Sequence, residues 1–159
     1  MKTLALALLL AVATALSGCA GTSAAVKTQY RMVPGEQLNL QVSAPKDVSE
    51  EGMAILRDRL KSQLAASGLL ASASEAGKQT LEVEVANYYM RHGAARAMVG
   101  ILAGADNIRS TVRVKDAATG NVVSEFSVES KNPTALGTSK GLIEEHADKI
   151  VAVLKGAER

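Results

Sequence analysis

The residue with the clearest chemical potential is Cys19, the only cysteine among the 159 residues. It follows one cation, Lys2, an apolar run from Leu4 to Leu16, and the small pair Ser17-Gly18. This order of charged, apolar and small-residue regions is typical of an export signal that a peptidase removes. The apolar run has about 13 residues, whereas a membrane-spanning helix needs roughly 20. The sequence therefore predicts a signal peptide over residues 1–18 and a thiol at the start of the exported chain.

The segment Leu16-Ser17-Gly18-Cys19 resembles the lipobox of bacterial lipoproteins. The resemblance implies lipid attachment at Cys19 and signal-peptidase cleavage between Gly18 and Cys19. Two or three acyl chains would hold the protein on a membrane, because each buried methylene contributes about 0.8 kcal/mol. By resemblance to enterobacterial sorting, Ala20 favours the outer membrane, facing the periplasm, over the inner membrane. The alternative is an ordinary signal peptide that ends in a cysteine by chance.

A second unusual segment, Gly93–Gly104, is small and apolar apart from Arg96. Gly100 and Gly104 have a spacing that allows two helices to approach closely. As a helix, 12 residues would be about 18 Å long, which is too short to cross a membrane. We expect a buried or half-buried helix or loop that closes one side of a sheet. The alternative is a contact or binding surface of Arg96, Gly100 and Gly104, with the arginine reaching toward phosphate or carboxylate.

The other polar residues form no recognisable catalytic or metal-binding pattern. Neither His92 nor His146 has a partner at metal-ligand spacing, and we place His146 at the margin of the last helix's buried face. No Gly-x-Ser-x-Gly motif supports a nucleophilic serine. Without residues 1–18, which contain one of the 18 basic residues, the net charge is about +1, unlike the basic footprint of nucleic-acid-binding proteins. We therefore predict no catalytic site, no metal, no cofactor and no nucleic-acid partner.

The residues after the cysteine predict a tether followed by one α+β domain. Residues 19–36 contain the lipidated cysteine and small, polar residues without periodicity, which indicate a flexible tether, most clearly over 20–29. The single periplasmic domain then covers residues 37–159. Alternating and helical patterns, with Ser49 and Ser139 as helix N-caps, predict strand-helix-strand-strand-strand-helix. The predicted strands are 37–42, 80–90, 108–115 and 122–130.

The last two strands predict a hairpin with a defined register. If Gly120 is left-handed at the end of a three-residue loop, Arg113 faces Glu125 and Arg109 faces Glu129. The first two strands, joined by a helix, could lie parallel through a right-handed crossover. The expected fold is one mixed, mainly antiparallel sheet of about four strands, with two amphipathic helices on one face.

The block Gly93–Gly104, the strand after it and the turn Lys115–Val122 together resemble the domain-of-unknown-function family 4410 of bacterial envelope lipoproteins. The resemblance covers roughly Leu38 to Leu154 and is specific over Gly93–Val122. It implies a fold and an envelope location but no reaction, because the family has no assigned activity.

These observations predict a membrane-anchored envelope lipoprotein with a structural or complex-assembly role, which is not an enzyme and whose partners include other envelope proteins. One alternative is a small-ligand or lipid-binding periplasmic module that uses a groove near Arg96. An enzyme would be favoured if His146 or His92 lay within reach of a serine and a carboxylate in one pocket.

Overall fold

The computed structural model describes residues 20–30, 35–72, 77–91, 104–134 and 136–156. These residues form one five-stranded mixed sheet in the order β1-β5-β4-β3-β2, with two helices. The α+β class is confirmed, with one strand more than the expected four. The elements are β1 (Gly21–Thr28), β2 (Leu38–Ser43), α1 (Glu50–Ala66), β3 (Gln79–Tyr89), β4 (Asp106–Asp116), β5 (Val122–Asn132) and α2 (Ser139–Leu154).

The additional strand is β1, which lies where the sequence predicts a flexible tether. Gly21–Thr28 pairs antiparallel with β5, from Gly21 opposite Lys131 to Thr28 opposite Glu125. The tether prediction is therefore wrong over these residues. β1 has few large apolar side chains, so its sequence carries no alternating pattern. Its order comes from backbone pairing with β5, which a single-strand pattern does not reveal.

The segment β2-α1-β3 has the predicted parallel arrangement, with Leu40 opposite Leu81. The hydroxyl of Ser49 accepts a hydrogen bond from the Gly52 backbone N–H at 3.3 Å, which confirms the predicted N-cap. At the other end of α1, Gly68 has a φ of +68°, the left-handed conformation that favours glycine after a helix. The crossover helix thus begins and ends where the sequence indicates.

The hairpin of β4 and β5 has the predicted register. Arg113 lies opposite Glu125 and Arg109 opposite Glu129, and Gly120 has a φ of +73°. A one-residue slip would move every side chain to the other face of the sheet. The opposed charges therefore identify the register because they all belong on the outer face.

Both helices contribute to one hydrophobic core on the inner face of the sheet. Helix α2 begins one residue earlier than predicted: the hydroxyl of Thr138, and not that of Ser139, accepts from the Gly141 backbone N–H at 3.0 Å. The largest fully buried apolar side chains, each contributing about 1.5–3 kcal/mol of transfer free energy, come from both helices and from strands β2, β3 and β4. They are Leu38, Leu56, Leu60, Leu64, Leu81, Val83, Val85, Ile108, Ile143, Ile150 and Leu154.

Candidate functional site

A surface groove and a buried ion pair, the two features considered first as a candidate site, both lie at one end of the sheet. A row of four residues crosses it, with Gly21 of β1 opposite Lys131 of β5, Lys131 opposite Asn107 of β4, and Asn107 opposite Tyr89 of β3. We call the part of the molecule at this row the basal end. Because β1 starts here, the predicted lipid attachment residue, Cys19, precedes the basal end by only two positions. The chain also leaves β3 and enters β4 at this end.

An open groove of about 520 Å³ adjoins the basal end. Its lining includes a bidentate ion pair, in which Arg59 of α1 donates to both carboxylate oxygens of Asp148 of α2 at 2.7 Å each. Leu136, in the loop between β5 and α2, borders the groove and is 79% exposed. The groove thus joins a polar wall to one exposed apolar side chain. Its lining includes Ala20, Gly21, Lys131, Thr138, Glu145 and Asp148.

A buried ion pair fixes the place where the chain leaves β3 and enters β4. Arg91 Nε donates to Asp106 Oδ1 at 2.9 Å, and both side chains are fully buried. The Arg91 backbone N–H donates to the same oxygen at 2.8 Å. Its guanidinium also donates to the backbone carbonyls of Asn132 and Thr134, at 3.1 and 2.6 Å. Arg91 therefore joins the end of β3 to the start of β4 and to the end of β5, a role that sequence analysis missed.

His146 is completely buried between α2 and the sheet, and not at the margin of the helix face. Its Nε2 lies 2.8 Å from Ser110 Oγ and its Nδ1 lies 2.9 Å from Ser130 Oγ. The Thr22 hydroxyl of β1 donates to Ser130 Oγ at 2.8 Å, which extends the chain of hydrogen bonds to the edge strand. Burial lowers the pKa of His146 to about 4. The imidazole is therefore neutral at physiological pH, and both its nitrogens are engaged by serines.

The surroundings of His146 differ from the arrangement that would favour an enzyme, which is a histidine beside a serine and a carboxylate in one open pocket. A catalytic imidazole must reach a substrate, and a Ser-His-Asp set needs a carboxylate on the second ring nitrogen. The second nitrogen of His146 instead bonds to a serine, and the ring has no exposed surface. His92, the other histidine, lies outside the described residues. The hydrogen bonds of His146 therefore hold α2 against β4 and β5.

The outer face of the sheet carries charges of alternating sign. Arg113 lies 2.9 Å from Glu84, 3.2 Å from Glu125 and 3.6 Å from Glu82, and Lys115 lies 2.6 Å from Glu82. The Lys115 ammonium is the main cause of a lowered pKa for Glu82. These glutamates face outward, as their strand positions predict, and are paired there with cations. Two further pairs on this face are Lys27–Glu125 and Arg109–Glu129.

Most of the site residues predicted from sequence lie outside the described residues. These are Cys19 and Gly18 at the cleavage site, together with Arg96 and Gly100 of the apolar segment. Their roles remain predictions. Gly104 is described: it is exposed, has a φ of +83° and precedes β4. A right-handed helix has a φ near −63°, so Gly104 does not lie within one.

Within the described ranges, no helix combines the length and the apolar character that a membrane span requires. In the same part of the chain, no cluster of three or more His, Cys, Asp or Glu side chains could hold a metal ion.

The fold is similar to that of several solved structures of low sequence identity. PelC from Paraburkholderia phytofirmans, described as a dodecamer, is 12% identical with a TM-score of 0.64, over 84% of this chain and 97% of that one. A single-substitution variant of the same protein in another crystal form has a TM-score of 0.60 over the same shares. Protein XCC0632 from Xanthomonas campestris is 14% identical with a TM-score of 0.52, over 82% of this chain and 88% of that one. None of the curated protein sequences matches the chain.

The family comparison tests the resemblance seen in the turn and in the small-residue block. A family model matches residues 26–137, which is well over half of the chain and includes the β4–β5 hairpin. The match begins inside β1 and ends just before α2. The chain therefore belongs to the family described as Domain of unknown function (DUF4410).

Proposed function

We propose that this protein is an envelope lipoprotein, anchored through Cys19, whose domain has a structural or complex-assembly role and no catalytic one. The observation that carries the proposal is the position of β1. Only Ala20 separates the predicted lipid attachment residue from Gly21, the first residue of a strand paired with β5. An anchor attached in this way holds the whole sheet beside the membrane. That arrangement suits a fixed building block better than a domain that searches for soluble substrates.

The surroundings of His146 support a non-enzymatic role. Its ring is fully buried, and its two nitrogens form hydrogen bonds with Ser110 and Ser130. It therefore contributes to the packing of α2 on the sheet. A reactive group needs access to a substrate, whereas a structural group needs only satisfied hydrogen bonds.

Assembly of several copies is the specific form of this role that we propose. PelC, whose fold is similar, is described as a dodecamer. In this chain β1 and β2 are the two edges of the sheet, and an edge strand presents backbone groups that another chain can pair with. We further propose the outer membrane, facing the periplasm, as the location, on the basis of Ala20.

Two experiments test this proposal. Cys19→Ser should abolish fatty-acid labelling and release the protein from membranes, or leave it uncleaved, while the parent should be labelled and co-sediment with outer-membrane fractions. A mutant that is labelled and fractionates like the parent would contradict the anchor.

Assembly is tested by photo-crosslinking in cells from single positions on the two edges. Lys27 on β1 and Gln41 on β2 are exposed edge positions, and Arg109, on the outer face of the central strand β4, is the control. We expect crosslinks between copies, or to defined envelope proteins, from the edges and not from the control. If neither edge position gives a crosslink to a second copy or to a defined envelope protein, the assembly role is contradicted.

The groove beside Arg59 and Asp148 favours one alternative, a small-ligand or lipid-binding module. Purification under native conditions followed by mass spectrometry distinguishes the two. A monomer that carries a small molecule supports the alternative.

A further inference from the structure

We propose that the basal end of the domain lies directly on the bilayer, with Leu136 and Lys131 at the level of the lipid headgroups. This inference rests on the proposed lipidation of Cys19 and adds the orientation of the domain and the surface that meets the lipid. The expected partner of this surface is the phospholipid membrane that holds the anchor.

The chain between the proposed anchor and the sheet is short. Gly21 is two positions after Cys19, and two extended residues span at most about 7 Å. Gly21 belongs to the row that crosses the sheet through Lys131 and Asn107 to Tyr89. Neighbouring strands are about 4.8 Å apart, so the row extends about 14 Å from Gly21. A membrane that holds the start of β1 within 7 Å therefore lies close to the ends of several strands.

The exposed side chains at the basal end are of types that suit a membrane interface. Leu136 is 79% exposed, the largest exposed fraction among the large hydrophobic residues of the described chain. Tyr89, at the end of β3, is 48% exposed. Tyrosine favours the membrane interface because its ring is apolar and its hydroxyl is polar. Lys131 can extend its apolar stem along the interface and place its ammonium near lipid phosphate.

The opposite end of the sheet has a different character. The β4–β5 turn lies there, where the Asp116 carboxylate accepts hydrogen bonds from the backbone N–H groups of Ala118 and Thr119 and from the Thr119 hydroxyl. These bonds lower the pKa of Asp116, which is therefore charged at neutral pH. Val122 and Val123 beside this turn are exposed, at 49% and 36%, but neither has the polar tip of a tyrosine or lysine. Strands of eleven residues place this end about 35 Å from the basal end, far beyond the reach of about 7 Å between Cys19 and Gly21.

The test uses the full lipidated protein in vesicles of phosphatidylethanolamine and phosphatidylglycerol. Because Cys19 is the only cysteine and is acylated under the proposal, an introduced cysteine is the single free thiol. Leu136→Cys and Lys131→Cys provide two basal reporters, and Ala118→Cys in the exposed turn is the matched control. Each carries an environment-sensitive fluorophore, and quenching by lipids with a nitroxide near the headgroup is measured.

We expect several-fold stronger quenching at both basal positions than at position 118. Equal quenching at the two ends, or stronger quenching at 118, in protein that carries fatty acid and floats with the vesicles would overturn the orientation alone. Protein without fatty acid that does not float would overturn the proposed anchor, and the orientation with it. Since all three positions are exposed, the substitutions leave the core unchanged. Flotation of each labelled variant checks that it is anchored before quenching is compared.

Discussion

Mild acidification should destabilise this protein through the buried imidazole of His146. The ring is fully buried and bonded to Ser110 and Ser130 at 2.8 and 2.9 Å. Burial lowers its pKa from 6.5 to about 4. In the unfolded chain the ring is hydrated, so its pKa returns to about 6.5. The unfolded state therefore binds a proton at a higher pH than the folded state does.

The sign and the size of the effect follow from this difference. The folded pKa of His146 is the lower one, so the stability from its neutral ring is complete above about pH 6.5 and decreases as the pH falls toward about 4. Between about pH 7.5 and pH 5 the free energy of unfolding should decrease by about 2 kcal/mol, approaching about 3 kcal/mol at pH 4.

The measurement compares the parent with His146→Gln. The glutamine amide can hydrogen-bond but does not titrate in this range. Both chains are prepared without residues 1–18 and with Cys19→Ser, and urea unfolding is measured at several pH values. The carboxylates titrate in both proteins, so the difference between the two free energies isolates His146. A constant offset from the substitution does not affect the test, because the expected result is a change of the difference with pH.

A difference between parent and variant that is the same at every pH would refute the reasoning. It would mean that His146 is as accessible to protons in the folded protein as in the unfolded chain. If His146→Gln does not fold, an NMR titration of the parent provides the same test. The His146 ring signals should remain those of neutral imidazole down to about pH 5, whereas a midpoint near 6.5 would contradict its burial.

Three further substitutions test other contacts by urea unfolding. Asp106→Asn should lower the free energy of unfolding by about 3–5 kcal/mol, because it leaves the buried Arg91 guanidinium without its carboxylate. Glu129→Gln, in an exposed ion pair, should lower it by less than about 1 kcal/mol. Similar losses in the two variants would contradict the burial of the Arg91–Asp106 pair. Thr138→Ala should cost about 1 kcal/mol and Ser139→Ala much less, and the reverse order would restore the cap predicted from sequence. Gly77→Ala should lower the free energy of unfolding by about 1–3 kcal/mol, because the added Cβ would collide with the backbone carbonyl of Gln37. An unchanged stability would show that the chain entering β2 can move to make room.

The parts of the fold that could be predicted are those whose signal lies within one or two adjacent elements. The hairpin register followed from opposed charges and one glycine, since Arg113 and Glu125 lie directly opposite each other only in that register. The parallel crossover followed from a capped, amphipathic helix between two alternating strands. In each case the sequence pattern and the packing have the same period, so local reasoning was sufficient.

The parts that were missed depend on contacts between residues distant in sequence. Thr22 lies in a strand without an apolar pattern, and its hydroxyl bonds to Ser130, 108 residues later. Arg91 and Asp106 are single charges that look like surface residues until the ends of β3 and β4 are brought together. His146 looked marginal because a polar residue in an apolar stripe is usually placed at its edge. Its burial is tolerated because Ser110 and Ser130 satisfy both ring nitrogens, and nothing near position 146 in the sequence reveals these partners.

Two of the missed contacts, Thr22–Ser130 and Arg91–Asp106, lie at the basal end of the sheet. Their position is relevant to the proposed anchor. A strand such as β1, with little apolar surface, is held mainly by directional bonds, and buried polar groups are costly unless every partner is present. The bond from Thr22 to Ser130 and the bond from Ser130 to His146 connect β1 to β5 and to α2. Thr22, where this chain of hydrogen bonds begins, lies three positions after Cys19. If Cys19 carries the lipid, a force on the anchor therefore acts directly on these bonds. Loss of the Thr22 hydroxyl, as in Thr22→Val, should therefore loosen β1 at its membrane-proximal end while the hairpin stays intact. Hydrogen exchange should show faster exchange in β1 and unchanged exchange across the β4–β5 pairing, and equal protection of β1 in both proteins would refute this coupling.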